Sequence, residues 1–141
     1  MSYISTGINE SAVIVDKAGA VLESAALKLI KRDGNGKFAV AGTAGERVVG
    51  VAIATTADKI NADDDLVVQI KDIGYVKAGA AIAKGTEIQT DAAGLAIPAV
   101  TEKYVIGEAL TAASAAGEVI QMQITKSGYK KEEVRIHEPY I

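Results

Sequence analysis

The residues that could do chemistry are few and far apart. The 141-residue chain has one histidine, His137, and no cysteine, which excludes disulfides, thiolate metal sites and thiol nucleophiles. A hydrolase or transferase needs a base, a nucleophile and a group to orient them. His137 stands near the end of the chain in a charge-dense segment, whereas a catalytic group has to be held rigidly. Serines and threonines are plentiful but have no partner base at a recognisable spacing. Asp58, Asp63, Asp64 and Asp65 fall in one stretch. They lack the alternating ligands, central glycine and distal glutamate of a calcium-binding loop, so a solvated loop is expected. Asp33 and Asp91 occupy matching Asp-x-x-Gly segments, where aspartate caps the backbone amides of a turn. The glycines stand at turns, and none forms a phosphate-cradling loop between strand and helix. No catalytic, cofactor-binding or metal site is expected, and the chain reads as a non-enzyme.

Composition narrows the classes further. Apolar residues make up 49% of the chain and aromatics only 4%, so the core must be assembled from Val, Ile, Leu and Ala. The formal net charge is −3, which leaves no basic stripe to neutralise nucleic-acid phosphates. No apolar run is long enough to span a bilayer, and the N-terminus lacks a secretory signal pattern. A soluble protein made in a cytoplasm, with neither nucleic acid nor membrane as partner, is the expectation.

The elements that carry these residues are written twice. Asp16-Lys-Ala-Gly-Ala-Val-Leu22 matches Val76-Lys-Ala-Gly-Ala-Ala-Ile82. Arg32-Asp-Gly-Asn-Gly36 with Lys37 to Ala41 matches Thr90-Asp-Ala-Ala-Gly94 with Leu95 to Ala99. Arg47-Val-Val-Gly-Val-Ala-Ile53 matches Tyr104-Val-Ile-Gly-Glu-Ala-Leu110. Leu66 to Ile70 ahead of Gly74 matches Ile120 to Ile124 ahead of Gly128. The offset shrinks from 60 to 54 residues along the chain, with the losses in Gly/Asp-rich segments, because loops tolerate deletion and strand register does not. Two copies of a β unit follow, residues 16–74 and 76–128, in a single β domain over 16–128. Residues 1–15 precede it as an N-terminal arm, and 129–141 follow as a C-terminal tail.

The fold expected is all-β: a compact β-barrel or β-sandwich built from two pseudo-repeated strand-turn units, with extended termini and little helix. A short apolar run at 12–15 reads as a strand. Residues 20–31 are ambiguous between helix and strand, and the repeat favours a strand near Leu27 to Lys31. Gly50 and Gly107 interrupt matching strands, and an interior strand glycine marks a bulge or a close backbone approach. Pro98 confines its strand to an edge. The last core strands are expected over 104–111 and 118–125, joined by a small-residue loop with room for one helical turn. Val134 and Ile136 alternate in the tail, which either adds an edge strand or reaches a neighbouring subunit, with Tyr140 beyond them.

Two of these segments carry a resemblance. Ala78-Gly-Ala-Ala-Ile-Ala-Lys-Gly-Thr-Glu-Ile-Gln-Thr-Asp-Ala-Ala-Gly94, followed by Tyr104-Val-Ile-Gly-Glu-Ala-Leu-Thr-Ala-Ala-Ser-Ala-Ala-Gly-Glu-Val-Ile120, resembles the capsid decoration, or cement, proteins of tailed bacteriophages. The resemblance spans about residues 18–124 and rests on turn and strand signatures. It implies a β body on the outer surface of a mature phage head, commonly a homotrimer, tying together subunits of the major capsid protein. Because extended termini make such contacts in that family, it also implies capsid contact by Ser2, Tyr3, Ile4, Thr6, Ile8 and Asn9. A virion location follows, after synthesis in the bacterial host.

Two alternatives stand beside it. The segment from Val76 to Gly85 is also similar to the hammerhead strands of biotinyl and lipoyl carrier domains, but neither Asp-x-x-Gly turn has a lysine at its tip (Lys37 follows it). A head-fibre or receptor-binding tip is the other. It would be expected to bind sugar or host cell, and this chain has few rings for sugar stacking.

Overall fold

The two Asp-x-x-Gly turns are built alike. Asp33 Oδ1 accepts the amides of Asn35 (2.8 Å) and Lys37 (3.0 Å), and Asp91 Oδ1 accepts those of Ala93 (2.8 Å) and Leu95 (2.9 Å). Gly36 and Gly94 complete the turns at φ of 78° and 80°, where any side chain would be strained. In the computed structural model, which describes residues 11–131, these turns join β3 (Leu29–Arg32) to β4 (Phe38–Val40) and β9 (Glu87–Thr90) to β10 (Ala96–Pro98).

Around each hairpin the same sheet assembles. The first has the spatial order β1 (Val13–Lys17), β7 (Asp65–Gln69), β5 (Gly50–Ala52), β3, β4. The second has β8 (Asp72–Lys77), β12 (Val119–Tyr129), β11 (Tyr104–Ala109), β9, β10. Replacing each strand by its repeat counterpart converts one order into the other. Register agrees as well: Ala52 faces Val68 in the first sheet, and Ala109 faces Met122 in the second. A two-stranded ribbon of β2 (Leu22–Glu23) and β6 (Lys59–Ile60) flanks the first sheet. In the second unit it shrinks to a bridge between Ile82 and Ala113. The fold is all-β, with no helix among the described residues, so the expected two-unit plan is what the chain adopts.

Successive strand residues point to opposite faces, and this decides how the two sheets join. Leu29 and Ile30 are both fully buried, but in different clusters. Ile30 packs with Phe38, Leu66 and Val68 of its own unit. Leu29 lies with Val76, Ile88, Ile106 and Met122 of the second unit. Val51 and Ala52 divide the same way. The middle of the first sheet is therefore buried on both faces, and the second unit closes over one of them. Backbone bonds lock the junction: Leu29 N–H to Gly94 O (2.7 Å), Gly45 N–H to Thr90 O (2.9 Å) and Tyr104 N–H to Gly45 O (3.0 Å). The counterparts of Leu29 and Val51 in the second unit are Glu87 and Glu108, both exposed. Carboxylates there oppose burial under a third layer, much as a terminal repeat presents a polar outer face.

Three expectations shift in detail. Residues 20–31 hold no helix, because Ser24 and Leu27 take φ of 54° and 64°, and the strand begins only at Leu29. Leu27 occupies the position of Gly85 (φ 89°), and each donates its amide across the sheet, to Ala52 O and Ala109 O respectively. The 112–117 connection is a bridge and turns with no helical turn. The last strand, expected to stop at Thr125, passes a bulge and runs to Tyr129. Lys126 (φ 49°) and Gly128 (φ 91°) turn the chain there, and the Tyr129 ring meets Tyr104 edge-on at 5.5 Å.

Gly50 and Gly107 are sites of close approach. A Cβ on Gly50 would stand 2.0 Å from Gln69 O, and one on Gly107 would stand 2.2 Å from Gln123 O.

Candidate functional site

Of the aspartates singled out in the sequence, Asp33, Asp91, Asp63, Asp64 and Asp65 have side-chain partners, and Asp58 takes part through its backbone carbonyl, which accepts the Ser24 amide. Asp33 and Asp91 hold their turns as described. In the acidic loop, Asp63 pairs with Lys37 (2.6 Å) and Asp65 with Lys17 (2.8 Å), while Asp64 accepts the Asn61 amide. Side-chain bonding to Lys37 holds the Asp63 carboxyl below its ordinary value, and that to Asp65 holds the Lys17 amine above its own. Among the described residues no group of three or more His, Cys, Asp or Glu side chains is placed to hold a metal ion. The buried polar pair is satisfied locally: Gln89 accepts the Val100 amide and donates to Thr90 O, and Thr90 donates to Asp91 O. His137, the arm residues Ser2, Tyr3, Ile4, Thr6, Ile8 and Asn9, and the tail residues Val134, Ile136 and Tyr140 lie outside the described residues.

What the surface offers instead is shape and charge. Ile73 and Tyr75 on β8 are 53% and 54% exposed, and Val119 on the neighbouring β12 is 47% exposed. Across the strand pair they face Gln123, Gln121 and Lys77, giving a face of apolar and amide groups with one lysine. Val15 holds the position in the first unit that Tyr75 holds in the second, and it too is exposed. Apolar side chains on the outer surface of a sheet suit protein docking.

A second feature was not visible in the linear sequence. A cleft of about 250 Å³ opens beside Arg32, Arg47 and Val49, and Lys126 of the second unit comes close enough for the Arg47 charge to act on it. Arg32 is occupied: it donates to Asp16 (2.8 Å) and Gly36 O, and its guanidinium lies 4.6 Å from the Phe38 ring centre. Arg47 and Lys126 make no ion pair with any described residue. The one available signal lay in the repeat, where Arg47 aligns with Tyr104 and Lys126 with Asp72. The two cations are thus absent from the partner positions.

No protein-family model matches the chain, and no curated protein matches it. Among solved structures, the fold is similar to that of the N base of the head fibre gp8.5 of bacteriophage phi29. The TM-score is 0.61 at 20% sequence identity, over 84% of this chain and 97% of that one. The likeness is one of fold: the two-unit β body described above is a body that a phage head-fibre base also has.

Proposed function

We propose that this protein is a structural, non-enzymatic component of a tailed-phage head, attached to the outer capsid surface and bridging subunits of the major capsid protein. The observation that carries the reading is the fold shared with a phage head-fibre base over nearly the whole of that domain. The duplicated body supports it. Two sheets locked by backbone bonds and a common apolar cluster make a stiff object, and Asp33, Asp91, Asp63 and Asp65 are held in turn bonds and surface ion pairs. A homotrimer, the state implied by the resemblance to decoration proteins, places several such bodies around one symmetry axis.

The work done is linkage. A protein that binds the expanded lattice and not its precursor stabilises the expanded form by its binding free energy, about 2.7 kcal/mol per site at a free concentration 100 times Kd. Copies that each bridge subunits add through multivalency.

The fold neighbour favours a second form of the same reading, in which the body is the capsid-proximal base of a fibre. Co-sedimentation with purified expanded and unexpanded heads tests the proposal. Saturable binding to expanded heads is expected, and equal or absent binding to both forms would overturn it. Deleting residues 1–11 separates arm from body: the deleted protein should melt like the parent yet occupy fewer sites, and unchanged occupancy would remove the arm from the mechanism.

A further inference from the structure

We propose that residues 126–131 mask a docking surface on the second unit, and that this surface fits the first unit of another copy of the chain. The inference concerns how copies meet one another and does not rest on the head-surface reading above.

From one equivalent point the chain takes two different courses. Lys126 and its repeat counterpart Asp72 both turn through positive φ, 49° and 68°. From Asp72 the chain runs on as β8, and the second unit closes over Leu29 and Val51. From Lys126 it stays beside β11, where Gly128 faces Val105 and Tyr129 faces Tyr104. This returning segment takes up contacts that a next unit would make. Gly45 and Glu102 hold equivalent turns: their φ values are 78° and 72°, and the amide after each bonds to Thr43 O and Val100 O respectively. The Gly45 amide donates to Thr90 O of the second unit (2.9 Å), whereas the Glu102 amide donates to Lys130 O (2.6 Å). Glu87, at the place of Leu29, pairs with the Lys130 amine at 2.6 Å. Val105, at the place of Val48, borders a groove with Ser127, Gly128 and Tyr129. The segment stands where a third unit would.

The two ends of the body still match each other. Within the chain, Tyr104 N–H donates to Gly45 O (3.0 Å). The corresponding groups are the Arg47 amide and the Glu102 carbonyl, and neither has a backbone partner among the described residues. Setting Glu102 of one copy against Arg47 of the next completes that bond. Ile106 and Ile124 are buried in the cluster that the first unit closes. Their counterparts Val49 and Ile70 are only partly buried, at the margin of the first unit's own cluster, and lack such a cover.

Charge differs on both sides at once. Within the chain, Gly45 and Val51 meet a face that carries Thr90 and Tyr104. Between copies, Glu102 and Glu108 would meet one that carries Arg32 and Arg47. Arg32 keeps its bond to Asp16, so Arg47 is the cation left for the contact. Carboxylates that oppose an apolar layer accept one that brings a guanidinium. Because such a contact uses a different surface on each side, it closes into a ring or continues as a filament.

Loosening the mask in the full chain tests this, with Tyr129→Ser and Lys130→Gln together. Neither residue is buried, so the melting temperature should report a folded body; if it does not, Lys130→Gln alone carries the same comparisons. Light-scattering mass across a concentration series reads association. The loosened chain should gain mass with concentration beyond the parent's. Adding Arg47→Glu, or adding Glu102→Arg, should lower its association constant by roughly tenfold, the scale of an exposed ion pair turned into a repulsion. Mixed in equal amounts, those two should associate again, since each supplies the sign that the other lacks.

Equal masses for the loosened chain and the parent overturn the inference. So does association indifferent to both reversals, which would assign it to unspecific sticking of the uncovered Val105 and Tyr104. A mixture that stays as dissociated as its components overturns it as well.

Discussion

Replacing Gly50 by alanine tests the close approach on which the first sheet depends. The new Cβ would lie 2.0 Å from Gln69 O, 2.8 Å from Val68 Cγ1 and 2.9 Å from the Gln69 carbonyl carbon. Real Cβ atoms essentially never come within 3.0 Å of such neighbours, so β5 and β7 would have to separate by about 1 Å at this point, and a backbone carbonyl cannot swing aside as a side chain can. The ladder between these strands has only two facing pairs, Val51 with Gln69 and Ala52 with Val68, and such an opening breaks its bonds. Two lost hydrogen bonds at about 1 kcal/mol each, plus about 1–3 kcal/mol for the disturbed core around Val51 and Ala52, give a loss of about 3–5 kcal/mol. That is a large share of the roughly 5–15 kcal/mol that holds a domain folded. Gly107→Ala should cost somewhat less. Gln123 O at 2.2 Å is equally immovable, but its other neighbours are Met122 Cγ and Sδ, a side chain that adapts. Urea unfolding of the full chain measures both against Gly34→Ala and Gly42→Ala, where a Cβ meets nothing within 4 Å and reduced unfolded-state entropy can even stabilise. A Gly50→Ala midpoint coincident with that of Gly34→Ala would refute the reasoning.

Removing either turn carboxylate, by Asp33→Ala or Asp91→Ala, leaves two backbone amides without their acceptor and should cost about 1–2 kcal/mol each. Thermal melts should show similar losses for both, and a loss in one turn only would break the claimed equivalence. Leu29→Glu places in the first unit the residue that the second unit carries at Glu87. It buries a carboxylate in the inter-unit cluster and should cost more than about 4 kcal/mol, whereas Glu87→Leu should leave the chain folded; near-parental stability of Leu29→Glu would deny that the second unit closes on that face. Glu46 predicts an acid dependence. Burial raises its carboxyl, but the Thr43 and Gly42 amides and Lys31 more than offset this and leave it below its ordinary 4.5. Its contribution is therefore present above about pH 4.5 and is lost as pH falls through the lower folded value. The stability gap between the parent and Glu46→Gln should be widest at neutral pH and close under acid; a gap constant down to pH 3 would contradict it.

How much could be read in advance differs from element to element. The duplicated plan was legible because each unit repeats residues whose types are dictated locally: aspartate where amides need an acceptor, glycine at Gly36 and Gly94 where φ is positive, and glycine at Gly50 and Gly107 where backbones nearly touch. The segment over 20–31 was not, because Leu27 carries a left-handed conformation that in the second unit falls to Gly85, and nothing in a leucine announces it. The strand past Thr125 was hidden for a related reason: Lys126 looks like the start of a charged tail until Gly128 and the Tyr104–Tyr129 contact return the chain to the sheet.

Composition and spacing by themselves determined the class of this protein: an all-β body in two copies, with a core of small aliphatic side chains and few groups able to do chemistry. Only the tertiary structure decided which face of the first sheet the second unit covers, and so why Leu29 and Val51 are apolar where Glu87 and Glu108 are charged. It also set Gly45 of the first unit against Thr90 and Tyr104 of the second through backbone hydrogen bonds. Periodicity records which side chains share a face of one strand. Which faces meet depends on packing between strands distant in the chain, and no local pattern encodes that.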